Sequence, residues 1–239
     1  SNVFFLDQKF NTVKKIKKNF VIMAGGMGKR LLPLTKNLPK PMIKIRNKPM
    51  LEHLILKAKN EGFFDFIIIV HHLKDKIINY FKNGNDLGVK IRYVEEKKAL
   101  GTAGGLSLIK KIVSNNFILS NADVISDLKF KNLIDFHENK TLATIAVKVL
   151  DNRENYGLVK INNGKIISFE EKPIIKKYIN SGVYAFNKNC LKYLKKNEKI
   201  DMVTFLKRLK NKNKIIKAFP IYENWQDIGL KKKLKKLID

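Results

Sequence analysis

The sequence has one cysteine, Cys190, in 239 residues. A single cysteine excludes an internal disulfide and a cysteine metal cluster, as is typical of a chain in a reducing compartment. No apolar run approaches the roughly 20 residues of a membrane-spanning helix, and the apolar residues 3–6 are too few for a signal peptide. These absences predict a cytoplasmic protein without a membrane partner.

Acidic residues are also scarce. The chain has 49 Lys and Arg against 21 Asp and Glu, a formal net charge of +28. Only five of these cations are arginines, the side chain that specific nucleic-acid readers use for bidentate contacts. Because lysines are spread along the whole chain, we interpret most of the charge as a solvated surface that reflects compositional bias, and a smaller part as a positive field that can concentrate phosphorylated substrates; a specific nucleic-acid partner is not expected. A nucleic-acid-binding protein is the alternative that this charge alone suggests.

Strand and helix patterns alternate over the first two-thirds of the chain. Apolar runs predict strands over 20–24, 66–70, 89–94, 117–120 and 142–149, with a short extended piece over 42–45. Helical spacing predicts helices over 48–61, 75–81, 104–113 and 130–138. This order is typical of βαβ units, so we expect an α/β fold with a mostly parallel sheet and helices on both faces. We expect one domain over 19–239, preceded by a linker or the remnant of an upstream region over 1–18.

The pattern changes after Leu150. Residues 157–161 and 166–170 flank Asn163-Gly164 and predict a β-hairpin, because Asn-Gly supplies the positive φ angles of a tight turn. Strands are predicted over 183–186 and 215–219, and helices over 190–194, 204–209 and 230–237. We expect this last third to cover the mouth of the sheet.

A glycine-rich loop follows the first predicted strand. It comprises Gly25, Gly26 and Gly28, followed by Lys29 and Arg30, and its peptide N–H groups can point at one anion. The spacing excludes a P-loop and a dinucleotide fingerprint. With Pro39-Lys40-Pro41, the stretch resembles the signature G-G-x-G-x-R-L-x-P-L-T…P-K-P of the sugar-phosphate nucleotidyltransferases, also called nucleotide-sugar pyrophosphorylases.

The resemblance extends over residues 19–237 and implies a Rossmann-like three-layer sandwich of the GT-A-like nucleotidyltransferase type. It implies that a sugar 1-phosphate attacks the α-phosphorus of a nucleoside triphosphate, which gives a nucleoside diphosphate sugar and pyrophosphate. Ala24, Gly25, Gly26 and Gly28 would bind the nucleotide. The implied catalytic residues are Arg30, Lys40 and Lys172.

Two carboxylates match the metal-binding segments of this family. Asp123 follows the predicted strand 117–120, and Asp227 lies in Trp225-Gln226-Asp227-Ile228-Gly229. Taken alone, an Asp after a strand is usually a turn or cap residue, but the resemblance implies that both hold Mg²⁺, a hard cation that also takes phosphate oxygens. Mg²⁺ is therefore the expected cofactor.

Residues 95–105 resemble the base-reading segment of the family and add Glu96, Gly101 and Thr102 to the nucleotide site. An ionised carboxylate only accepts hydrogen bonds, and guanine offers two adjacent donors, whereas thymine and uracil offer one donor between two acceptors. Glu96 therefore favours GTP. For the neighbouring Glu95, a solvated charge at a strand end is an equally good interpretation.

Further resemblances imply that Gly157, Glu171, Lys172 and Asn180 bind the sugar phosphate. The closest resemblance is to transferase domains linked to CBS domains, among them sugar 1-phosphate guanylyltransferases of legionaminic acid pathways, so upstream CBS domains are an expected partner. No C-terminal β-helix is expected. A homo-oligomer is a possible assembly, but the oligomeric state and the sugar are left open. The alternatives are a dTTP-, UTP- or CTP-specific enzyme or an inactive regulatory homologue that binds nucleotide sugars.

Overall fold

The structure, a computed structural model, describes residues 13–228, except for the side chain of Asp227. The strands are β1 Phe20–Met23, β2 Lys44–Ile45, β3 Lys48–Pro49, β4 Asp65–Val70, β5 Lys90–Glu95, β6 Asn116–Asn121, β7 Val124–Ser126, β8 Ala143–Arg153, β9 Leu158–Asn162, β10 Lys165–Glu170, β11 Ile174–Asn187, β12 Ile216–Ile221 and β13 Trp225–Asp227. The helices are α1 Met50–Asn60, α2 Lys74–Phe81, α3 Gly101–Gly104, α4 Phe130–Phe136 and α5 Met202–Asn211. The helix predicted over 230–237 lies outside the described residues.

Seven strands form the central sheet, in the order β12-β8-β11-β6-β1-β4-β5. β11 runs antiparallel to both of its neighbours, and the other pairs are parallel. The chain places β4 and β5 on one side of β1 and then returns to place β6 on the other side. This reversal creates a switch point at the carboxyl ends of β1 and β6, where open α/β sheets bind their ligands.

Apolar side chains alternate between the two faces of the sheet. In β1, Phe20 and Ile22 pack with residues of α1, α2 and α4, whereas Val21 packs with residues of α3 and α5 on the opposite face. Strand β4 is apolar on both faces, as expected for a parallel strand covered by helices on both sides. The predicted three-layer α/β architecture with a mostly parallel mixed sheet is therefore confirmed.

The helix predicted over 104–113 is wrong in its bounds. α3 spans only Gly101–Gly104, and a 3-10 turn continues to Leu108. The cause is close packing: a Cβ on Gly104 would lie 2.2 Å from the carbonyl oxygen of Glu198, so this glycine serves an approach of two backbones. Glycine is also a poor helix former, which the apolar spacing alone does not reveal.

Strand β11 is much longer than the predicted strand 183–186. Residues 183–187 pair with β6 in the core, but residues 174–180 pair with the far end of β8. The hairpin of β9 and β10 is confirmed, and it forms a separate two-stranded sheet. We call residues 150–180, which comprise the end of β8, the hairpin and the start of β11, the arm.

At the amino-terminal boundary, Ile16 forms an isolated parallel bridge with Phe63. The division into a linker and a domain at residue 18 stays a prediction. Between residues 13 and 228, we find no helix that is both long and apolar enough to cross a membrane.

Candidate active site

A cavity of about 400 Å³ lies at the carboxyl edge of the sheet, at the switch point. It is formed by the loop after β1, the segment after β5, the start of α3 and the turn after β6. The predicted site residues in its lining are Ala24, Gly25, Gly26, Gly28, Arg30, Lys40, Glu96, Gly101, Thr102 and Asp123. The structure therefore brings together residues that are up to about a hundred positions apart in the chain.

The glycine loop is held in shape by close contacts of Gly28. Its φ is +63°, and a Cβ there would lie 2.9 Å from Cγ2 of Thr35 and 3.2 Å from Cβ of Lys40. The Thr35 hydroxyl also donates a hydrogen bond to the Gly28 carbonyl oxygen, at 3.0 Å. A non-glycine residue would be strained here whatever ligand binds, so Gly28 fixes the loop.

Gly26 differs from Gly28, because a Cβ on it would meet no protein atom within 4 Å. Its φ is not in the left-handed region. The residue is exposed and lines the cavity, so the space beside its backbone is open to a ligand. Protein packing gives no reason for a glycine at this position.

Glu96 follows β5 and is buried in the cavity wall, 6% exposed. Its Oε1 has no hydrogen-bond partner among the described residues. Two glycines pack against the carboxylate: a Cβ on Gly105 would lie 2.6 Å from Oε1, and one on Gly25 would lie 2.9 Å from Oε2. The cavity thus contains a buried acceptor that no described side chain satisfies.

Burial raises the pKa of the Glu96 carboxyl to about 7, because a low-dielectric environment disfavours its charge. The nearby His71 ring and the backbone of Leu100 act in the opposite direction. His71 Nδ1 lies 2.8 Å from the Glu96 carbonyl oxygen, which fixes the ring beside the cavity. Near neutral pH the carboxyl is close to the midpoint of its titration, so a ligand that donates hydrogen bonds to it would favour the charged form.

Lys40 and Asp123 form an ion pair at the rim of the cavity. Their side chains are 11% and 22% exposed, so the pair is partly shielded from water. The sequence interpretation treated these residues as separate contacts, to phosphate and to metal, and did not foresee that they touch each other. The Asp123 carboxylate therefore has a cationic partner within the described part of the chain.

The segment of Asp227 lies beside Asp123 because two short strands pair. Asp227 in β13 is opposite Val124 in β7, and the Ile228 N–H donates to the Asp123 carbonyl oxygen at 3.3 Å. Neither strand was predicted. The side chain of Asp227 lies outside the described residues, so only the main-chain proximity of the two predicted metal ligands is observed.

The donor chemistry at this rim suits Mg²⁺, which prefers carboxylate oxygens. Within the described part of the chain, there is no group of three or more His, Cys, Asp or Glu side chains placed to hold a metal ion. The oxygen donor that is observed is the carboxylate of Asp123.

The predicted sugar-phosphate residues Gly157, Glu171 and Lys172 lie on the arm and do not line the cavity. A Cβ on Gly157 would lie 2.9 Å from Glu171 Oε2, and Lys172 Nζ lies 3.8 Å from Glu171 Oε1. These three residues therefore form a group of their own, and the side chains of Glu171 and Lys172 are 79% and 63% exposed.

Asn180 connects the arm to the cavity. Its Oδ1 accepts a hydrogen bond from the Gly182 N–H at 3.1 Å, and a Cβ on Gly182 would lie 2.7 Å from Nδ2 of Asn121, a cavity residue. Asn121 was not predicted as a site residue, although its position directly before Ala122-Asp123 was a usable signal. His71 and His72 are adjacent on the chain and so predict no shared site, whereas the structure places His71 beside Glu96.

A glycine loop, a partly buried Lys–Asp pair and a buried carboxylate lie together at the switch point of an open sheet, where α/β proteins bind their ligands. Residues 19–238 match the model of the family described as Nucleotidyl transferase. The chain belongs to this family.

Curated relatives include the UTP–glucose-1-phosphate uridylyltransferase of Synechocystis, 34% identical over 76% of this chain and 52% of the relative. The mannose-1-phosphate guanyltransferase of Aspergillus oryzae is 34% identical over 87% of this chain and 60% of that protein. Among solved structures, HddC from Yersinia pseudotuberculosis complexed with GMP-PN aligns with a TM-score of 0.73 at 26% identity and covers 92% of this chain and 98% of HddC. The chain spans about half to three-fifths of the length of the curated relatives.

Proposed function

We propose that this chain transfers a nucleoside monophosphate from a nucleoside triphosphate to a sugar 1-phosphate and releases pyrophosphate. Membership of the family supports the reaction class. The cavity supports it chemically, because the chain places backbone amides, Arg30 and Lys40 around one open space. Two anionic reactants repel each other, so a site for their reaction needs fixed positive charge and precise positioning.

GTP is the favoured nucleotide in this proposal, and the single observation that carries this preference is the buried Glu96 carboxylate in the cavity lining, whose Oε1 has no partner among the described residues. A buried acceptor without a partner is costly, and guanine supplies two adjacent N–H donors that would satisfy it. Uracil and thymine present one donor between two acceptors, so each would leave a carboxylate oxygen facing a carbonyl. The relatives include proteins named for both GTP-type and UTP-type reactions, which leaves the base open to test.

The other residues take roles that follow from their positions. Gly25 and Gly26 let the triphosphate approach the backbone, and Gly28 fixes the loop. Arg30, which is exposed in the cavity lining, would neutralise the triphosphate. Lys40 would lie beside the phosphate that is attacked, since it already occupies the rim between the glycine loop and Asp123. Gly101 and Thr102 would complete the nucleotide side of the cavity.

Lys172 on the arm would hold the phosphate of the sugar 1-phosphate, with Gly157, Glu171 and Asn180 reading the sugar. The contacts of Glu171 with Gly157 and Lys172 support one subsite for these three residues. Because none of these four residues lines the cavity, this subsite must meet the cavity when both substrates are present. Asn180, whose neighbours reach Asn121, is where the two subsites join.

Asp123 and Asp227 would hold Mg²⁺. When bound, this ion would supply positive charge to the α-phosphate oxygens. The Asp123 carboxylate is the group that this chain would contribute most directly, and its present partner is the Lys40 ammonium group.

Several finer statements stay proposals. A UTP-, dTTP- or CTP-specific pyrophosphorylase fits the same fold and family, as does an inactive homologue that binds nucleotide sugars. Kinship with CBS-linked guanylyltransferases of legionaminic acid pathways, and upstream CBS domains with it, rests on the sequence resemblance alone.

Pyrophosphate release tests the proposal. The protein is incubated with Mg²⁺, with each of GTP, UTP, dTTP, CTP and ATP, and with a panel of hexose and hexosamine 1-phosphates. We expect release that requires a sugar 1-phosphate and is fastest with GTP. Fastest release with another nucleotide would reject the GTP preference and leave the reaction class intact. If folded protein releases no pyrophosphate with any pair but still binds a nucleotide sugar, the inactive regulatory homologue is favoured.

A further inference from the structure

The β9–β10 hairpin has one apolar face. Cross-strand pairs place Ile161 opposite Ile166 and Val159 opposite Phe169, and residues two apart on β9 share a face. All four side chains are exposed, between 47% and 73%. The opposite face presents the polar residues Lys160, Asn162, Lys165 and Ser168, together with Leu158 and Glu170. The hairpin therefore has the alternation of a strand pair that is covered on one side, yet no described residue covers it.

A lone two-stranded hairpin is marginally stable in water, and three or more strands or a packed helix are normally needed. The hairpin is a separate sheet, and ten of its eleven strand residues are classed as exposed. An amphipathic hairpin in this situation is completed by a partner that brings a complementary apolar face.

Exposed apolar residues are concentrated on the arm. Among residues 13–228, the arm carries 11 of the 21 exposed large hydrophobic side chains. Exposed apolar side chains that share one face, as Val159, Ile161, Ile166 and Phe169 do, mark an interaction site, whereas scattered single ones do not.

The charge of the arm indicates the kind of partner. Residues 150–180 contain six basic and four acidic side chains, a net charge of +2, in a chain whose net charge is +28. An anionic partner, such as a nucleic acid or an acidic membrane, would be attracted more strongly to the rest of the surface. A second copy of this chain is repelled by the rest of the surface and meets least repulsion at the arm.

The apolar face of the hairpin is suited to a symmetric interface. A flat apolar face can pack on its own copy about a two-fold axis, since the same patch serves both subunits. Two hairpins stacked face to face give two two-stranded sheets about 10 Å apart, the spacing of packed sheets. The dimer would thus bring together more than the three strands that a stable sheet normally needs, whereas the isolated hairpin has only two.

We propose that the chain forms a dimer with two-fold symmetry through the arm, in which the apolar face of Val159, Ile161, Ile166 and Phe169 packs against the same face of a second copy. The proposal does not depend on the proposed activity. It makes the segment that carries Glu171 and Lys172 part of a subunit interface.

Sedimentation velocity over a concentration series tests the proposal. We expect a species of twice the 27.6 kDa chain mass, and we expect Phe169→Ser with Ile161→Ser to raise the dimer dissociation constant at least about tenfold. Val203→Ser is the matched control, because Val203 is an exposed apolar residue, 54% exposed, on α5 outside the arm, and it should leave the constant unchanged. Raised salt should strengthen the dimer, since screening weakens the repulsion between two basic chains.

A second measurement covers the case in which the double variant folds poorly. Hydrogen exchange of the wild-type protein should show hairpin amides that become protected as concentration rises. A monomer at concentrations up to about 100 μM would overturn the proposal. A dimer that tolerates the double variant would also overturn it. So would hairpin protection that does not depend on concentration and is lost when the chain is shortened to residue 228, because residues 229–239 of the same chain would then cover the face.

Discussion

The residues predicted to bind the nucleotide line the cavity, whereas most of those predicted to bind the sugar phosphate lie on the arm. The two regions are built in different ways. The cavity residues extend from buried strand ends, and buried clusters on both faces of the sheet support them. Gly157, Glu171 and Lys172 lie on an exposed arm that contacts little besides itself. In the proposed function, the well-packed cavity wall would therefore position the nucleotide, and the less supported arm would bind the sugar phosphate.

The largest effect is expected at the cavity rim. Asp123→Asn removes the charge that pairs with Lys40 and would hold Mg²⁺, so turnover should fall at least about 10²-fold with the fold intact. Pyrophosphate release under saturating substrates measures it, and circular dichroism checks the fold. Asp127→Asn is the control, because Asp127 is exposed and accepts a hydrogen bond from the side chain of Asn224. Near-normal turnover in Asp123→Asn would remove this residue from the mechanism.

On the arm, Lys172→Met should raise the KM for sugar 1-phosphate about tenfold, because a charge-assisted contact to phosphate is lost. The KM for the nucleoside triphosphate should stay within about twofold, since Lys172 lies outside the cavity lining. Lys176→Met, another exposed arm lysine, should change neither constant. Equal increases in both KM values for Lys172→Met would contradict the division between the two regions.

The glycine loop allows a sharper test inside the cavity. Gly26→Ala should weaken nucleotide binding about tenfold without lowering the melting temperature, because its Cβ meets no protein atom and would occupy ligand space. Isothermal titration and thermal unfolding measure the two effects. Gly28→Ala should instead destabilise the fold by about 1 kcal/mol or more, given its positive φ and its contact with Thr35. If Gly26→Ala binds nucleotide normally, the phosphates do not pass this residue.

The smallest effect is on stability, and it depends on pH. The folded-state pKa of Glu96 is about 7 and the usual value is 4.5, so between these values the folded protein keeps a proton that the unfolded chain releases. The unfolding free energy should therefore fall as pH rises from 4.5 to 7, by a few kcal/mol at most. Glu96→Gln should abolish this loss, so its stability relative to wild type should increase from pH 5 to pH 8. A constant difference across that range would show that Glu96 titrates normally.

Most of the fold was predictable because its signals are local. Apolar runs mark the buried strands, and Gly62 and Asn163-Gly164 mark a helix end and a turn. The exceptions share one physical cause. The outer half of β11, the strands β7 and β13 and the shortness of α3 are decided by contacts with distant parts of the chain, such as that between Gly104 and Glu198.

For the site, the glycine loop and Glu96 were predictable from their resemblance to family motifs, and the structure places both in one cavity. The ion pair between Lys40 and Asp123 was not predictable, because the two residues are 83 positions apart and each had a separate role in the resemblance. The position of His71 beside Glu96 likewise depends on how β4 and β5 align.

The central claim is that the cavity recognises the nucleotide base through the buried Glu96 carboxylate. The base preference of the Glu96→Gln variant tests this claim most directly. The measurement is the ratio of kcat/KM for GTP to that for UTP, in wild type and variant. A glutamine offers a donor and an acceptor, which match uracil better than guanine, so the ratio should fall about 10²-fold or more. An unchanged ratio in a folded, active variant would contradict the account.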